Sequence, residues 1–254
     1  MYFDFHAHYD DSKFDPDRSN LLKQLPTQEV RGIINSGSCI NSSYESVKIA
    51  ESYPYVYASV GVHPHEVHKM KDADLSILEE LASHKKVVAI GEIGLDYHYD
   101  YSPRDVQQKW FTNQLALAKK LNMPVVIHSR EASQDTLNII KDSGIKSGAL
   151  HCYSGHLPMA LEYIRMGFYI SLGGVVTYKN AQKTKEVAAG IPLNRLLIET
   201  DAPYLSPVPF RGKRNDSSRL SFIAEEIANI RNITKEEVAS AALKNAENLL
   251  KHKF

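Results

Sequence analysis

Six residues able to bind a metal ion stand at the ends of short apolar runs spread along the chain. Tyr2–Phe5 leads into His6 and His8, Val87–Ile90 into Glu92, Val125–Ile127 into His128, Gly148–Leu150 into His151, and Leu196–Ile198 into Asp201. A His-x-His pair puts both imidazoles on one face of an extended strand, because the side-chain period there is two. Glu92 follows four apolar residues, a poor place for a solvated charge. It either answers a buried lysine or arginine, or spreads its two oxygens over two metal ions. Imidazoles and carboxylates in this number suffice for two divalent cations, which can acidify a water and polarise a phosphoryl or carbonyl centre. Asp201 could bind metal, act as a general base, or do both; a bare N-cap for a helix is the other reading.

Ligands this far apart in sequence meet only if the fold gathers strand ends. In a barrel of parallel strands, all ends of one polarity share one rim. Strands are expected at Tyr2–Phe5, Gly32–Asn35, Val56–Val62, Val87–Gly91, Pro124–Ile127, Gly148–Leu150, Phe168–Leu172 and Leu196–Glu199. Several are near-continuous apolar runs, as in strands covered on both faces. Helical periodicity fills the gaps. Val106, Trp110, Leu117 and Leu121 mark a helix over Arg104–Leu121, with Ser102-Pro103 as its cap and first turn. Ile223, Ile227 and Ile230 form another stripe, and Thr234 to Glu237 is a capping-box pattern for a last helix through Leu250. Eight such units in sequence predict an α/β protein, a single-domain (β/α)8 TIM barrel over residues 1–254. A doubly wound sheet would more often carry a Gly-rich phosphate loop after its first strand; Phe5 is followed by His-Ala-His-Tyr-Asp-Asp, without glycine.

Composition narrows the function. Lys+Arg and Asp+Glu are both 30, so the formal net charge is zero. A protein that coats nucleic acid through a global field would be basic; a nucleic-acid substrate would here be gripped locally. The two cysteines, Cys39 and Cys152, give no disulfide framework. Cys152 is expected as a buried thiol against the helix layer, since strand neighbours face opposite sides. The N-terminal residues lack the pattern of a targeting segment, and no apolar run approaches spanning length. A cytoplasmic enzyme is expected, with no membrane association and no obligate protein partner.

Other residues near the ligands suggest substrate contacts. His63 and His65, in His-Pro-His, could orient phosphate or water. Asp96 is expected as a loop or helix-cap residue supporting the site. Arg130, Arg211, Lys213 and Arg214 are candidates to hold phosphates, arginine being suited to bidentate contact. Tyr97 and Tyr153 could stack on a base or bond a phosphate, or simply pack.

Taken together, His6-Ala7-His8, GVHPHE, GEIGLDYHYD, PVVIHSREA, HCYSGH, LIETDAPYLSP and FRGKRN resemble the TatD family of metal-dependent deoxyribonucleases, part of the amidohydrolase superfamily of TIM barrels. The resemblance runs through nearly the whole chain, in order and with compatible spacing. It implies one metal held by His6, His8, Glu92 and Asp201 and a second held by Glu92, His128 and His151, with Glu92 bridging. It also implies hydrolysis of DNA, often from the 3′ end. Two segments depart from the family pattern, Asp216-Ser217-Ser218 after Asn215 and the degraded motif over Leu243–Leu250. Neither touches a metal ligand; the first bears on the substrate loop.

The expected function is therefore cleavage of DNA phosphodiester bonds as a 3′–5′ exonuclease. Two divalent ions (Mg, Mn or Zn) would activate water at the barrel rim, and Asp201 would take its proton. Two rivals stay open. The same site could hydrolyse a small amide, lactone or phosphoester. Alternatively the chain could be a noncatalytic metal-bound binding module, which the presence of a base at Asp201 argues against.

Overall fold

Eight parallel strands pair in chain order in the computed structural model, which describes residues 1–254. They are β1 (Tyr2–Ala7), β2 (Val30–Ser36), β3 (Val56–Val60), β4 (Val87–Asp96), β5 (Val125–Arg130), β6 (Gly148–Leu150), β7 (Tyr169–Leu172) and β8 (Leu196–Ile198). Around them lie α1 (Arg18–Gln24), α2 (Ile40–Ser52), α3 (Asp72–Ala82), α4 (Arg104–Leu121), α5 (Ser133–Ser143), α6 (Leu157–Arg165), α7 (Gln182–Gly190), α8 (Leu220–Arg231) and α9 (Lys235–Leu250). The ring closes just beyond the strands. Ala7 bridges to Ala202, His8 N–H donates to the Ala202 carbonyl at 2.7 Å, and Asp201 N–H donates to the His6 carbonyl at 2.9 Å. Below this bridge the fully buried Asp4 carboxylate accepts from Thr200 N–H (2.8 Å), Thr200 Oγ1 (2.6 Å) and Ser217 Oγ (2.6 Å). Side-chain bonds thus join β1 to the segment after β8, where ladder pairing is thin.

Apolar side chains form two compartments. The larger lies between strands and helices. The smaller fills the barrel interior with Phe3, Phe5, Ile34, Val126 and Leu197, and Leu249 and Leu250 of α9 pack under it. The ligand-bearing ends are at the opposite rim. Register slips on two strands aim the ligands inward. One lies in β1 between Asp4 and Ala7, the other in β4 between Ile90 and Ile93, on either side of Glu92. Strict alternation would send Phe5 and His6 to opposite faces. After the slip Phe5 packs inside the barrel while His6 points to Glu92. Close approach of β4 to β5 demands glycine at Gly94, whose φ is +145° and where a Cβ would lie 1.9 Å from the His128 carbonyl oxygen.

Several expected boundaries change. The fourth strand continues from Gly91 to Asp96, and the third stops at Val60 rather than Val62. The capping box opens α9 as the pattern predicts: Thr234 Oγ1 accepts from Glu237 N–H and Glu237 Oε2 accepts from Thr234 N–H. Ser102 does not cap α4, whose N-cap is Pro103. Its hydroxyl donates to the His65 carbonyl at 3.1 Å and accepts from His68 N–H at 3.2 Å, tying the start of α4 to the loop after β3. No helix is long and apolar enough to cross a membrane.

Candidate metal centre

Glu92, 3 % exposed, stands between two groups of ligands. Its Oε1 lies 2.8 Å from His151 Nε2, 3.1 Å from His128 Nδ1 and 3.4 Å from His63 Nε2. Its Oε2 lies 3.4 Å from His6 Nε2 and 3.6 Å from His8 Nε2. Asp201 Oδ1 completes the second group, 3.8 Å from His6 and 3.6 Å from His8. Within each group two imidazole nitrogens face one another, His6 and His8 at 3.0 Å and His128 and His151 at 3.2 Å. Lone pairs converging at this spacing suit an ion bound about 2.0–2.1 Å from each nitrogen.

The far nitrogen of each ring has a fixed partner. His8 Nδ1 is 2.9 Å from the Ser36 carbonyl, and His6 Nδ1 is 3.1 Å from the Ser36 hydroxyl. His128 Nε2 is 3.0 Å from Asp96 Oδ2, and His151 Nδ1 is 3.3 Å from Glu199 Oε1. For His8, His128 and His151 the partner is a carbonyl or carboxylate that can only accept, which sets the tautomer that leaves a lone pair on the inward nitrogen. His63 differs. Its Nδ1 accepts from His65 N–H at 3.1 Å, so its inward Nε2 carries the proton and donates toward Glu92. Its ligand atom nonetheless lies with those of Glu92 and His128 in a group close enough to hold a metal ion.

Electrostatics give the donor set a deficit of positive charge. Burial would raise Glu92, yet His151, His63 and His6 hold its carboxyl well below the usual range. Asp201 is likewise lowered: burial opposes, and the hydrogen bond to His8 and the charge of His6 prevail. Burial would lower His8, but bonding to Asp201 and the charge of Glu92 push it up to about 9. His151 is also raised, by Glu92 and Glu199 against burial. His63, by contrast, is pulled down to about 4 by burial, which keeps it neutral. The carboxylates hold protons on His8 and His151; divalent cations answer the same need. Residues and charge therefore fit metal ions.

The centre opens into a cavity of about 650 Å³ at the rim. His63, His65, Arg130 and Tyr153 line it; Arg211, Lys213 and Arg214 do not. Arg214 forms a bidentate pair with Asp17 at 2.7 and 2.6 Å, and Arg211 lies over the Tyr178 ring at 4.5 Å. Tyr153 is 7 % exposed and its hydroxyl donates to the His156 carbonyl. Tyr97 donates to Asp135 and accepts from Gln108, with Arg104 over its ring, so it packs. Asp201 caps no helix; its φ is +56° and its carboxylate faces His6 and His8. Asp96 is not a loop residue but the buried last residue of β4. Cys152 is not buried against the helix layer. His151 and Cys152 lie past the end of β6, so strand alternation does not govern them, and Cys152, with φ +41°, lines the cavity.

Sequence reasoning passed over Glu199 and Tyr99. Glu199 is fully buried, and its Oε1 also accepts from Cys152 N–H at 2.6 Å. Its signal was a charged residue at the end of an apolar run, the same that singled out Glu92. Tyr99 lines the cavity and is 47 % exposed.

The chain as a whole is similar to known proteins. Over 253 residues the chain is 44 % identical to the uncharacterized metal-dependent hydrolase YabD of Bacillus subtilis, covering 99 % of both. It is 32 % identical to the protein named 3′-5′ ssDNA/RNA exonuclease TatD of Erwinia tasmaniensis, covering 97 % of this chain and 98 % of that one. The crystal structure of YjjV, a TatD homolog from Escherichia coli, superposes with a TM-score of 0.92 at 33 % identity, covering 98 % of this chain and 97 % of that one. The model of the TatD related DNase family matches residues 3–251. With the whole barrel matched, from the β1 histidines to the last helix, this chain belongs to the TatD family of metal-dependent hydrolases.

Proposed function

We propose that this protein hydrolyses phosphodiester bonds of DNA, as a 3′–5′ exonuclease, with two divalent cations (Mg, Mn or Zn). His6, His8, Glu92 and Asp201 would hold one, and Glu92, His128 and His151 the other. The observation that carries this reading is Glu92, whose two oxygens face separate histidine pairs. Bound there, the cations would supply Lewis acidity to the scissile phosphate and acidify the attacking water. Asp201, ionised at neutral pH, takes the water's proton. His63 donates through Nε2 into the centre. Arg130, half-buried on the cavity wall, holds a phosphate beside the reacting one. Arg211 and Lys213 lie outside the cavity, where they would meet only more distant phosphates.

The cavity has the size of a pocket for one small ligand, which suits a strand end better than the middle of a duplex. The relative named as an ssDNA/RNA exonuclease supports the same substrate class. End-labelled single- and double-stranded DNA, RNA, and chromogenic esters and amides, each with chelator and after metal return, test the reading. Stepwise loss of 3′ nucleotides that stops with chelator is expected. Turnover of the esters or amides alone would move the assignment to a small-molecule hydrolase.

A further inference from the structure

The segment after β4 carries two tyrosines that expose ring surface beside the metal centre. Tyr99 is 47 % and Tyr101 63 % exposed. Their rings stack on one another, centroids 5.2 Å apart and planes 12° from parallel. The Arg130 guanidinium lies 4.9 Å from the Tyr99 centroid. Arg130 and Tyr99 line the cavity and Tyr101 does not, so the stack leads outward from the cavity wall.

The stack is held in place from below. Asp96, whose other oxygen holds His128, accepts from His98 N–H and Tyr99 N–H at 3.0 Å each. His65 meets both rings edge-on, with centroids 5.4 and 4.9 Å away. Ser102 ties the end of the segment to the His65 carbonyl. Tyrosines that served only to pack would bury their faces, as Tyr163 does at 1 % exposure. A fixed, solvent-facing aromatic stack beside a cationic side chain is the equipment with which proteins hold single strands, because every base has a π-face.

We propose that Tyr99 and Tyr101 form a base-stacking platform for single-stranded nucleic acid, seating the base of a nucleotide next to the reacting one while Arg130 holds its phosphate. The platform rests on the nuclease reading of the centre and gives it a strand path. Stacking tolerates any base, so it would grip the strand without sequence preference.

The test uses the full-length, metal-loaded protein. Tyr101→Ala and Tyr101→Phe are compared on an oligothymidylate and on the same strand with its 3′-terminal bases replaced by abasic spacers. Binding is measured by fluorescence anisotropy in an Asp201→Asn background, so that the strand survives. Tyr101→Ala should raise KM and weaken binding of the intact strand about tenfold, the value of one lost base stack. Tyr101→Phe, which keeps the ring, should match wild type. On the abasic strand the alanine and wild-type proteins should coincide. Hydrolysis with KM and binding unmoved by Tyr101→Ala, or an equal loss on the abasic strand, overturns the platform and leaves the nuclease reading standing. Ring-dependent binding without hydrolysis keeps the platform and overturns the nuclease reading. A strand neither bound nor cut overturns both.

Discussion

Glu199→Gln isolates a carboxylate that touches no metal position yet should control one of them. Its Oε1 accepts from Cys152 N–H at 2.6 Å and lies 3.3 Å from His151 Nδ1. Glutamine keeps the size and, through its amide oxygen, an acceptor for Cys152. It loses the negative charge that raises the basicity of His151. Removing such an outer partner typically costs about 10–100-fold in metal affinity. That equals about 1.4–2.7 kcal/mol. His151 Nε2 meets Glu92 Oε1 at 2.8 Å, so the loss should fall on the position shared by Glu92, His128 and His151. The position formed by His6, His8 and Asp201 should change much less. Calorimetric titration of the stripped protein with Zn²⁺ or Mn²⁺, with metal content by mass spectrometry, resolves the two affinities; thermal unfolding of the stripped variant checks the fold. Glu79→Gln is the control, since it breaks only an exposed pair with Lys120. Wild-type affinity at both positions in Glu199→Gln, or an equal loss at both, would refute the outer-partner role.

Glu92→Ala should reduce metal content at both positions and His128→Ala mainly at one; metal analysis showing full occupancy in Glu92→Ala would remove the bridge. Asp201→Asn should retain much of the metal but lower turnover about 10²–10⁴-fold, because an amide cannot take a proton at neutral pH. Turnover near wild type on every substrate would make Asp201 structural. Metal binding should release protons and tighten as pH rises toward 9. His8, pushed up to about 9, and His151, also raised, hold protons in the empty centre that a cation must displace. Acidification should therefore weaken binding, and a binding heat independent of the buffer's ionisation enthalpy would count against this.

Much of the barrel was legible because its strands are covered on both faces and leave apolar runs bounded by polar residues. Gly148–Leu150 matches β6, and Arg104–Leu121 matches α4. The reading faltered where the apolar run and the strand part company. Glu92 and Gly94 interrupt the run in β4, so Asp96 looked like loop although the strand carries it into the site. Buried carboxylates were the other blind spot. Asp4 and Glu199 lay inside expected strands without being singled out, and their partners lie 196 and 48 residues away. The histidine and carboxylate ligands were easier to find because several shared one pattern. Tyr97 and Tyr99 differ by two positions, and the hydrogen bonds to Asp135 and Gln108, with Arg104 over the ring, decide that Tyr97 is packed while Tyr99 is presented.

The seam of the barrel sets when the enzyme can come into being. His6 and His8 are synthesised well before Asp201, which faces them only after the chain has travelled around the whole ring. Ser217, which bonds the Asp4 carboxylate, comes later still. Synthesis proceeds from the N-terminus, so a nascent chain can display imidazoles long before it owns a complete ion cage. Capture of an ion by His6, His8, Glu92 and Asp201 would thus be a late event in biogenesis, conditional on ring closure, whereas Glu92, His128 and His151 are all made earlier. Ions seated across the joint would then favour the closed ring over any form with β1 detached, by an amount that grows with free ion concentration. Metal supply would then be a lever on how much intact protein a cell holds, apart from how fast each molecule turns over.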